Sequence, residues 1–180
     1  MEDFILQEIA RGASLEQQLA LNMARLNDDI STIFRQVALY RFEQHLHQLF
    51  RDKGYLSTAE IGQLFSTHMT QYMGPAVEQS VGSELWWVYI SHIRSYFYVY
   101  SYASGLLISK ALQHQVRQNP KRIQNVLTFL SAGTSQSPKD IFQALDIDIT
   151  QPTFWQTGID EIEALLNKCE SLAQKLGKIN

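Results

Sequence analysis

The side chains best suited to chemistry in this chain are tyrosines and a histidine in one aromatic stretch, Ser83 to Leu112. A segment this apolar must be buried on most sides, yet a buried phenol needs a hydrogen-bond partner. The sequence leaves two interpretations open. The stretch is either a core helix whose tyrosine hydroxyls form hydrogen bonds with nearby residues, or an aromatic surface whose hydroxyl and imidazole groups bind a ligand. The polar aromatic residues in question are Tyr89, His92, Tyr96, Tyr98, Tyr100 and Tyr102.

The histidines do not have the spacing of a metal site. No two are four residues apart and none is followed by Glu, so the zinc motif His-Glu-x-x-His is absent. His45 and His47 are two residues apart and point to different sides of a helix. His68 has no carboxylate or cysteine at ligand spacing. We therefore predict no metal ligands in this chain.

Composition narrows the class of protein further. The length of 180 residues predicts a single domain, residues 1–180. A net charge of -3 and no Lys/Arg cluster argue against nucleic acid as a partner. There is no apolar run long enough to span a membrane and no signal peptide at the start. The single Cys169 allows no internal disulfide. Together these features predict a cytoplasmic protein without nucleic-acid or membrane partners.

Three blocks of sequence stand out for their order and spacing. They are IFRQVALYRFE (Ile33 to Glu43), HIRSYFYVYSYASG (His92 to Gly105) and LTFLSAGTSQSPKDIFQALDIDI (Leu127 to Ile149). These blocks resemble the C-terminal part of the oligoendopeptidase F family, zinc peptidases related to thimet oligopeptidase. The resemblance implies an all-α, multi-helix bundle like the C-terminal helical lobe of those enzymes.

The resemblance also implies roles for particular residues. Tyr98 would be the catalytic hydrogen-bond donor to the oxyanion in a complete enzyme, and His92, Tyr98 and Tyr102 would bind the substrate. Zinc is implied for the complete enzyme, which would hydrolyse short peptides, but not for this chain. Three hypotheses stay open: an inactive C-terminal lobe of an oligopeptidase, a stand-alone peptide-binding or assembly module, and a hydrolase using other residues. The first predicts an exposed apolar face that contacts the missing catalytic segment or a second copy.

Helices must position these residues, since apolar residues recur at helical spacing and no segment alternates like a strand. On one straight helix His92 and Tyr98 would point about 240° apart. Both can face a peptide only if the helix is interrupted, so we predict a break between about His92 and Tyr96 and a new helix from about Tyr96 to Arg117. Gly105 inside that helix predicts a close helix crossing.

Other local signals concern helix ends and buried charge. Ser14 with Gln17, and Ser57 with Glu60, read as capping boxes. Arg35 and Glu43 fall in a part of the chain predicted to be buried, where a charge needs a partner. The sequence does not identify that partner.

Overall fold

The computed structural model describes residues 2–180, with side chains from residue 4 onward. Within these residues every regular element is helical and there is no strand, so the predicted all-α class is confirmed. The chain is also helical between α2 and α3, through a π-helical turn at Ser31–Arg35. The α-helices are α1 (Glu2–Ala10), α2 (Leu15–Ile30), α3 (Gln36–Lys53), α4 (Thr58–Met73), α5 (Tyr100–Gln118), α6 (Ile123–Ala132), α7 (Pro138–Gln143) and α8 (Pro152–Lys175).

Short 3₁₀ segments occupy three of the connections. They span Ser83–Val88, Ser91–Ser95 and Pro120–Arg122. None of the helices in the described part of the chain is long and apolar enough to cross a membrane. The chain divides into two compact units, unit 1 (Met1–Asp29 and Gly105–Asn180) and unit 2 (Ile30–Ser104). The single domain expected from length stays a prediction.

Unit 2 is built around aromatic residues of α3 and α4. Phe42 and Phe65 are almost completely buried and meet edge to face, with ring centroids 5.3 Å apart. Val99, just before α5, is fully buried in the same cluster. The fully buried Glu43 also lies in this unit, as predicted, but Arg35 is exposed, so its predicted burial is wrong. The side chain of Arg35 needs no buried partner because it lies in solvent.

Unit 1 has a second aromatic core and a buried ion pair. Phe142 of α7 lies between Phe129 and Phe154, with centroid distances of 4.9 and 5.9 Å. Lys110 of α5 is 4% exposed, and its ammonium lies 2.6 Å from the carboxylate of the buried Asp29. The charged Lys110 is thus buried together with a carboxylate of opposite charge, because a buried ammonium group is strongly unfavourable without such a partner.

Several helix ends follow the local sequence signals. The side chain of Ser57 accepts the Glu60 backbone N–H while Glu60 accepts the Ser57 N–H, so the predicted capping box at α4 is confirmed. Ser14 and Gln17 make the equivalent pair before α2. Helix α3 ends at Gly54, where φ is 76°. A left-handed residue at this position closes a helix end, and glycine adopts it without strain.

The predicted close crossing at Gly105 is wrong, and the crossing lies at another glycine. A Cβ added at Gly105 would meet no described atom within 4 Å. A Cβ added at Gly158 of α8 would lie 2.8 Å from the carbonyl oxygen of Leu107 in α5. The backbones of α5 and α8 therefore approach at Gly158. Sequence could not separate the two glycines because each is simply a glycine within a helical pattern.

Candidate functional site

His92, Tyr98 and Tyr102 come together in unit 2 and contact one another directly. His92 Nε2 and the Tyr102 hydroxyl form a 2.6 Å hydrogen bond. The Tyr98 ring stacks on the His92 ring with a centroid distance of 5.5 Å and an angle of 18°. Tyr98 and Tyr102 meet edge to face at 5.7 Å. The three residues chosen from the resemblance are thus one cluster, which we call the His-Tyr cluster.

A break in the helix makes this arrangement possible. The 3₁₀ segment Ser91–Ser95 carries His92, and α5 begins only at Tyr100. Between them Tyr96 and Phe97 have φ values of 43° and 61°. These two left-handed residues reverse the direction of the chain, so Tyr98 returns toward His92. The predicted interruption is confirmed, although the new helix starts about four residues later than predicted because the turn occupies those positions.

The phenol and imidazole groups of the cluster are neutral or weakly acidic groups that can form hydrogen bonds with a ligand. The Tyr98 side chain is 48% exposed, and its hydroxyl makes no hydrogen bond to a described residue. A phenol can donate to a carbonyl oxygen or an oxyanion without being ionised. His92 and Tyr102 are half-buried and already share a hydrogen bond, and the tautomer of His92 decides which of them donates. The arrangement can therefore hold polar groups of an extended ligand beside aromatic surfaces.

The other histidines take separate environments. His114 Nδ1 lies 2.7 Å from Glu161, and His47 Nε2 lies 3.8 Å from Glu43. Both ring nitrogens of His68 are buried without a hydrogen-bond partner. Burial lowers the pKa of His68, and the charges of neighbouring His45 and Arg41 lower it further. No group of three or more His, Cys, Asp or Glu in the described part of the chain could hold a metal ion.

A polar cluster in unit 1 was missed by the sequence analysis. Glu161 of α8 contacts both His114 and Arg117 of α5, which lie more than forty residues earlier in the chain. Burial raises the pKa of the Glu161 carboxyl, but the hydrogen bonds from His114 and Arg117 outweigh it and leave the pKa below its usual value. Two of these residues, Arg117 and Glu161, border a cleft of about 180 Å³. No local motif signals the cluster, since it depends on how the helices pack.

Comparison with known proteins identifies the family. The model of the family described as "Peptidase family M3" matches residues 4–161. This chain belongs to peptidase family M3. The match covers most of the chain and includes all three blocks that resembled oligoendopeptidase F, so the suspected relationship is confirmed.

Relatives within the M3 family are longer than this chain. It is 25% identical over 155 residues to an oligoendopeptidase F homolog from Borreliella burgdorferi, a match that covers 86% of the chain and 26% of that protein. It is 28% identical over 148 residues to oligopeptidase PepF from Bacillus subtilis, covering 81% of the chain and 22% of that protein. The chain thus spans about a quarter of the length of these relatives.

A solved structure has the same fold. Oligoendopeptidase-F from Enterococcus faecium matches with a TM-score of 0.85 at 24% sequence identity, over 97% of this chain and 34% of that one. The expected resemblance to a helical lobe of oligoendopeptidase F is thereby confirmed for the fold. Zinc in a complete enzyme, which the resemblance to oligoendopeptidase F implies, stays a prediction.

Proposed function

We propose that this chain is the C-terminal, substrate-binding helical lobe of an oligoendopeptidase and contacts short peptides through His92, Tyr98 and Tyr102. The observation that carries the proposal is the His-Tyr cluster, in which a half-exposed phenol lies on an imidazole that is already hydrogen-bonded to Tyr102. Membership of the M3 family supports a peptide as the ligand, since the relatives are named as oligopeptidases.

Each residue has a distinct part in this proposal. Tyr98 donates a hydrogen bond to a carbonyl oxygen of the bound peptide, and in the complete enzyme to the oxyanion that develops there. Its exposure lets the hydroxyl reach a ligand without rearrangement. His92 and Tyr102 bind the peptide backbone through the imidazole nitrogens and the phenol hydroxyl. The aromatic faces add apolar contact area beside these donors.

Hydrolysis in this proposal belongs to the complete enzyme. The described residues supply no metal-ligand set, and the sequence contains no nucleophile and base at readable spacing. We therefore expect the 180-residue chain to bind peptide but not to cleave it.

The partner of this lobe is proposed to cover the exposed face of α6. None of the residues in α6 is buried, and its apolar side chains Ile123, Leu127 and Leu130 are about half exposed or more. They lie at positions i, i+4 and i+7, which form one stripe of a helix. Because the chain spans about a quarter of its relatives, the remaining catalytic segment is the proposed partner. Without it, the same stripe would promote self-association.

The test measures binding and cleavage with one labelled peptide. A fluorescein-labelled short peptide of alanine, phenylalanine and lysine is titrated with the chain, and fluorescence anisotropy gives the affinity. Tyr98→Phe should weaken binding about three- to tenfold, the usual effect of one hydrogen bond. Tyr89→Phe is the matched control, because Tyr89 lies in the same stretch but is 92% exposed and makes no ring contact or side-chain hydrogen bond with the described residues of the cluster. Its affinity should equal that of the wild type.

The same samples separate the proposal from its alternatives. A quenched fluorescent version of the peptide reports cleavage, with and without added zinc and a chelator. A wild-type chain that does not bind the peptide, or a Tyr98→Phe variant that binds it with unchanged affinity, would contradict a substrate-binding lobe and favour an assembly module. Chelator-sensitive cleavage would contradict the expected inactivity.

A further inference from the structure

Glu43 is a buried carboxylate that contacts the backbone of the turn before Tyr98. Its side chain is 0% exposed and lies on α3. Its Oε1 accepts the backbone N–H of Phe97, 54 residues later, at 2.7 Å. This distance is in the short range that is typical of hydrogen bonds to charged groups. The contact therefore joins the core of unit 2 to the one segment that brings Tyr98 to His92.

The turn that Glu43 contacts has an unfavourable backbone conformation. Tyr96 (φ 43°, ψ 86°) and Phe97 (φ 61°) are consecutive left-handed residues, and neither is glycine. Such conformations are sparsely populated for bulky residues and persist only where surrounding contacts impose them. The Phe97 ring also packs against Tyr40 and His47, at centroid distances of 5.7 and 5.2 Å. Both the backbone and the side chain of Phe97 are therefore fixed from α3.

A carboxylate at this place is not explained by packing alone. Its second oxygen, Oε2, is buried without a hydrogen-bond partner in the described part of the chain. Burying a carboxylate is unfavourable unless hydrogen bonds compensate, and an apolar residue of similar volume would fill the same space more favourably. An apolar residue could not reproduce the acceptor for the Phe97 N–H, nor the contact at 3.8 Å with His47, a neighbour on α3 itself. Of these two contacts only the hydrogen bond to Phe97 reaches the turn.

We propose that Glu43 is a positioning residue, which holds the left-handed turn at Tyr96 and Phe97 and thereby sets Tyr98 against His92. Glu43 acts through the turn, and among the described residues no hydrogen bond or ion pair joins it to the His-Tyr cluster. Its role in peptide binding rests on the function proposed above. Its effect on the conformation of the turn can be measured without any peptide.

The first measurement is NMR spectroscopy of the 180-residue chain. The Tyr98 ring stacked at 5.5 Å shifts the His92 ring protons upfield, and the Tyr102 ring, edge to face at 5.3 Å, also affects them, so these signals report how the two tyrosines are arranged around His92. Glu43→Leu should remove this shift and should speed hydrogen exchange of the Phe97 amide about tenfold or more, the effect of losing a hydrogen bond to a charged group. Glu43→Gln keeps an acceptor oxygen, so the His92 signals should stay while the Phe97 amide proton moves.

A second-site variant distinguishes positioning from general stability. Glycine adopts positive φ freely, so Tyr96→Gly relieves the turn of part of its strain. Adding Tyr96→Gly to Glu43→Leu should restore part of the His92 shift and of the peptide affinity. Asp29→Asn is the matched control, since Asp29 is an equally buried carboxylate in unit 1. It should lower the unfolding temperature without moving the His92 signals.

Each outcome decides the proposal. A folded Glu43→Leu chain with unchanged His92 signals would overturn it, and so would the same loss in Asp29→Asn. If Glu43→Leu does not fold, a Phe97 amide proton that Glu43→Gln leaves unmoved overturns it. Wild-type chain that binds no labelled peptide contradicts the proposed function, whereas the His92 and Phe97 signals still test the turn. Peptide binding that is unaffected in Glu43→Leu, despite lost stacking, would refute its role in binding.

Discussion

The close approach of α5 and α8 at Gly158 leads to a quantitative prediction for Gly158→Ala. The added Cβ would lie 2.8 Å from the Leu107 carbonyl oxygen, 3.0 Å from its Cδ2 and 3.1 Å from its Cα. Two of these three atoms belong to the backbone, so rotating a side chain cannot relieve the contact. Either the helices separate slightly or the contact stays compressed, and both outcomes destabilise unit 1.

The expected magnitude combines two opposing effects. Replacing glycine by alanine within a helix stabilises it by about 1 kcal/mol. Overpacking a tight contact destabilises a protein by about 1–3 kcal/mol. Because the nearest atom is backbone at 2.8 Å, we expect the upper part of that range and a net loss of about 1–2 kcal/mol. Gly105→Ala is the matched control in the same unit, and with no described atom within 4 Å it should gain about 1 kcal/mol.

Urea unfolding followed by circular dichroism measures both variants against the wild type. The free energies of unfolding of the two variants should differ by about 2–3 kcal/mol and lie on opposite sides of the wild-type value. Two variants that shift in the same direction by similar amounts would refute the close approach at Gly158. A change in the slope with urea, rather than in the midpoint, would show that the compactness of the unfolded or native state had changed or that unfolding was no longer two-state.

Three further predictions concern buried or capping charges. Lys110→Met removes the ammonium 2.6 Å from the buried Asp29 carboxylate but keeps Arg25 at 3.3 Å, so the free energy of unfolding should fall by about 1.5–3 kcal/mol in chemical denaturation, the effect of one hydrogen bond to a charged group. Hydrogen bonds from Lys53 and then from Ser57 lower the pKa of Glu60 to about 2, so an NMR titration should find its midpoint there, and Ser57→Ala should raise it. Burial lowers the pKa of His68, so as the pH falls below about 6.5 the unfolded state takes up a proton before the folded state does, and the stability of the chain should decline. His68→Leu should remove this part of the decline, which thermal unfolding at several pH values measures.

Features of the fold that depend on neighbours in sequence were predictable. Ser57 and Glu60 are three residues apart, and their reciprocal hydrogen bonds need only one helical turn. The break after His92 was also predictable, because the angle between His92 and Tyr98 on a straight helix is fixed by helix geometry. The exact form of that break was not, since two aromatic residues with positive φ contradict local preference.

Contacts between distant parts of the chain could not be predicted. The hydrogen bond from Phe97 to Glu43 and the pairing of Glu161 with His114 depend on helix packing, which sequence spacing does not encode. The same reason explains the wrong assignment at Gly105 and the exposed Arg35. The His-Tyr cluster was found through the resemblance of one sequence block to a family, not through spacing alone. The roles assigned to its members stay predictions.

The order of residues in the two units has a consequence for synthesis of the chain. Unit 2 is one continuous segment, whereas unit 1 combines residues on both sides of it. A ribosome therefore completes all of unit 2 before it has made Lys110, the partner of Asp29. Before then the Asp29 carboxylate can pair with Arg25 of the same helix, at 3.3 Å in the folded chain, but its complete burial also involves the Lys110 ammonium. Contacts within unit 2 close shorter loops and can form early, while unit 1 matures late and is the part most exposed to misfolding during translation.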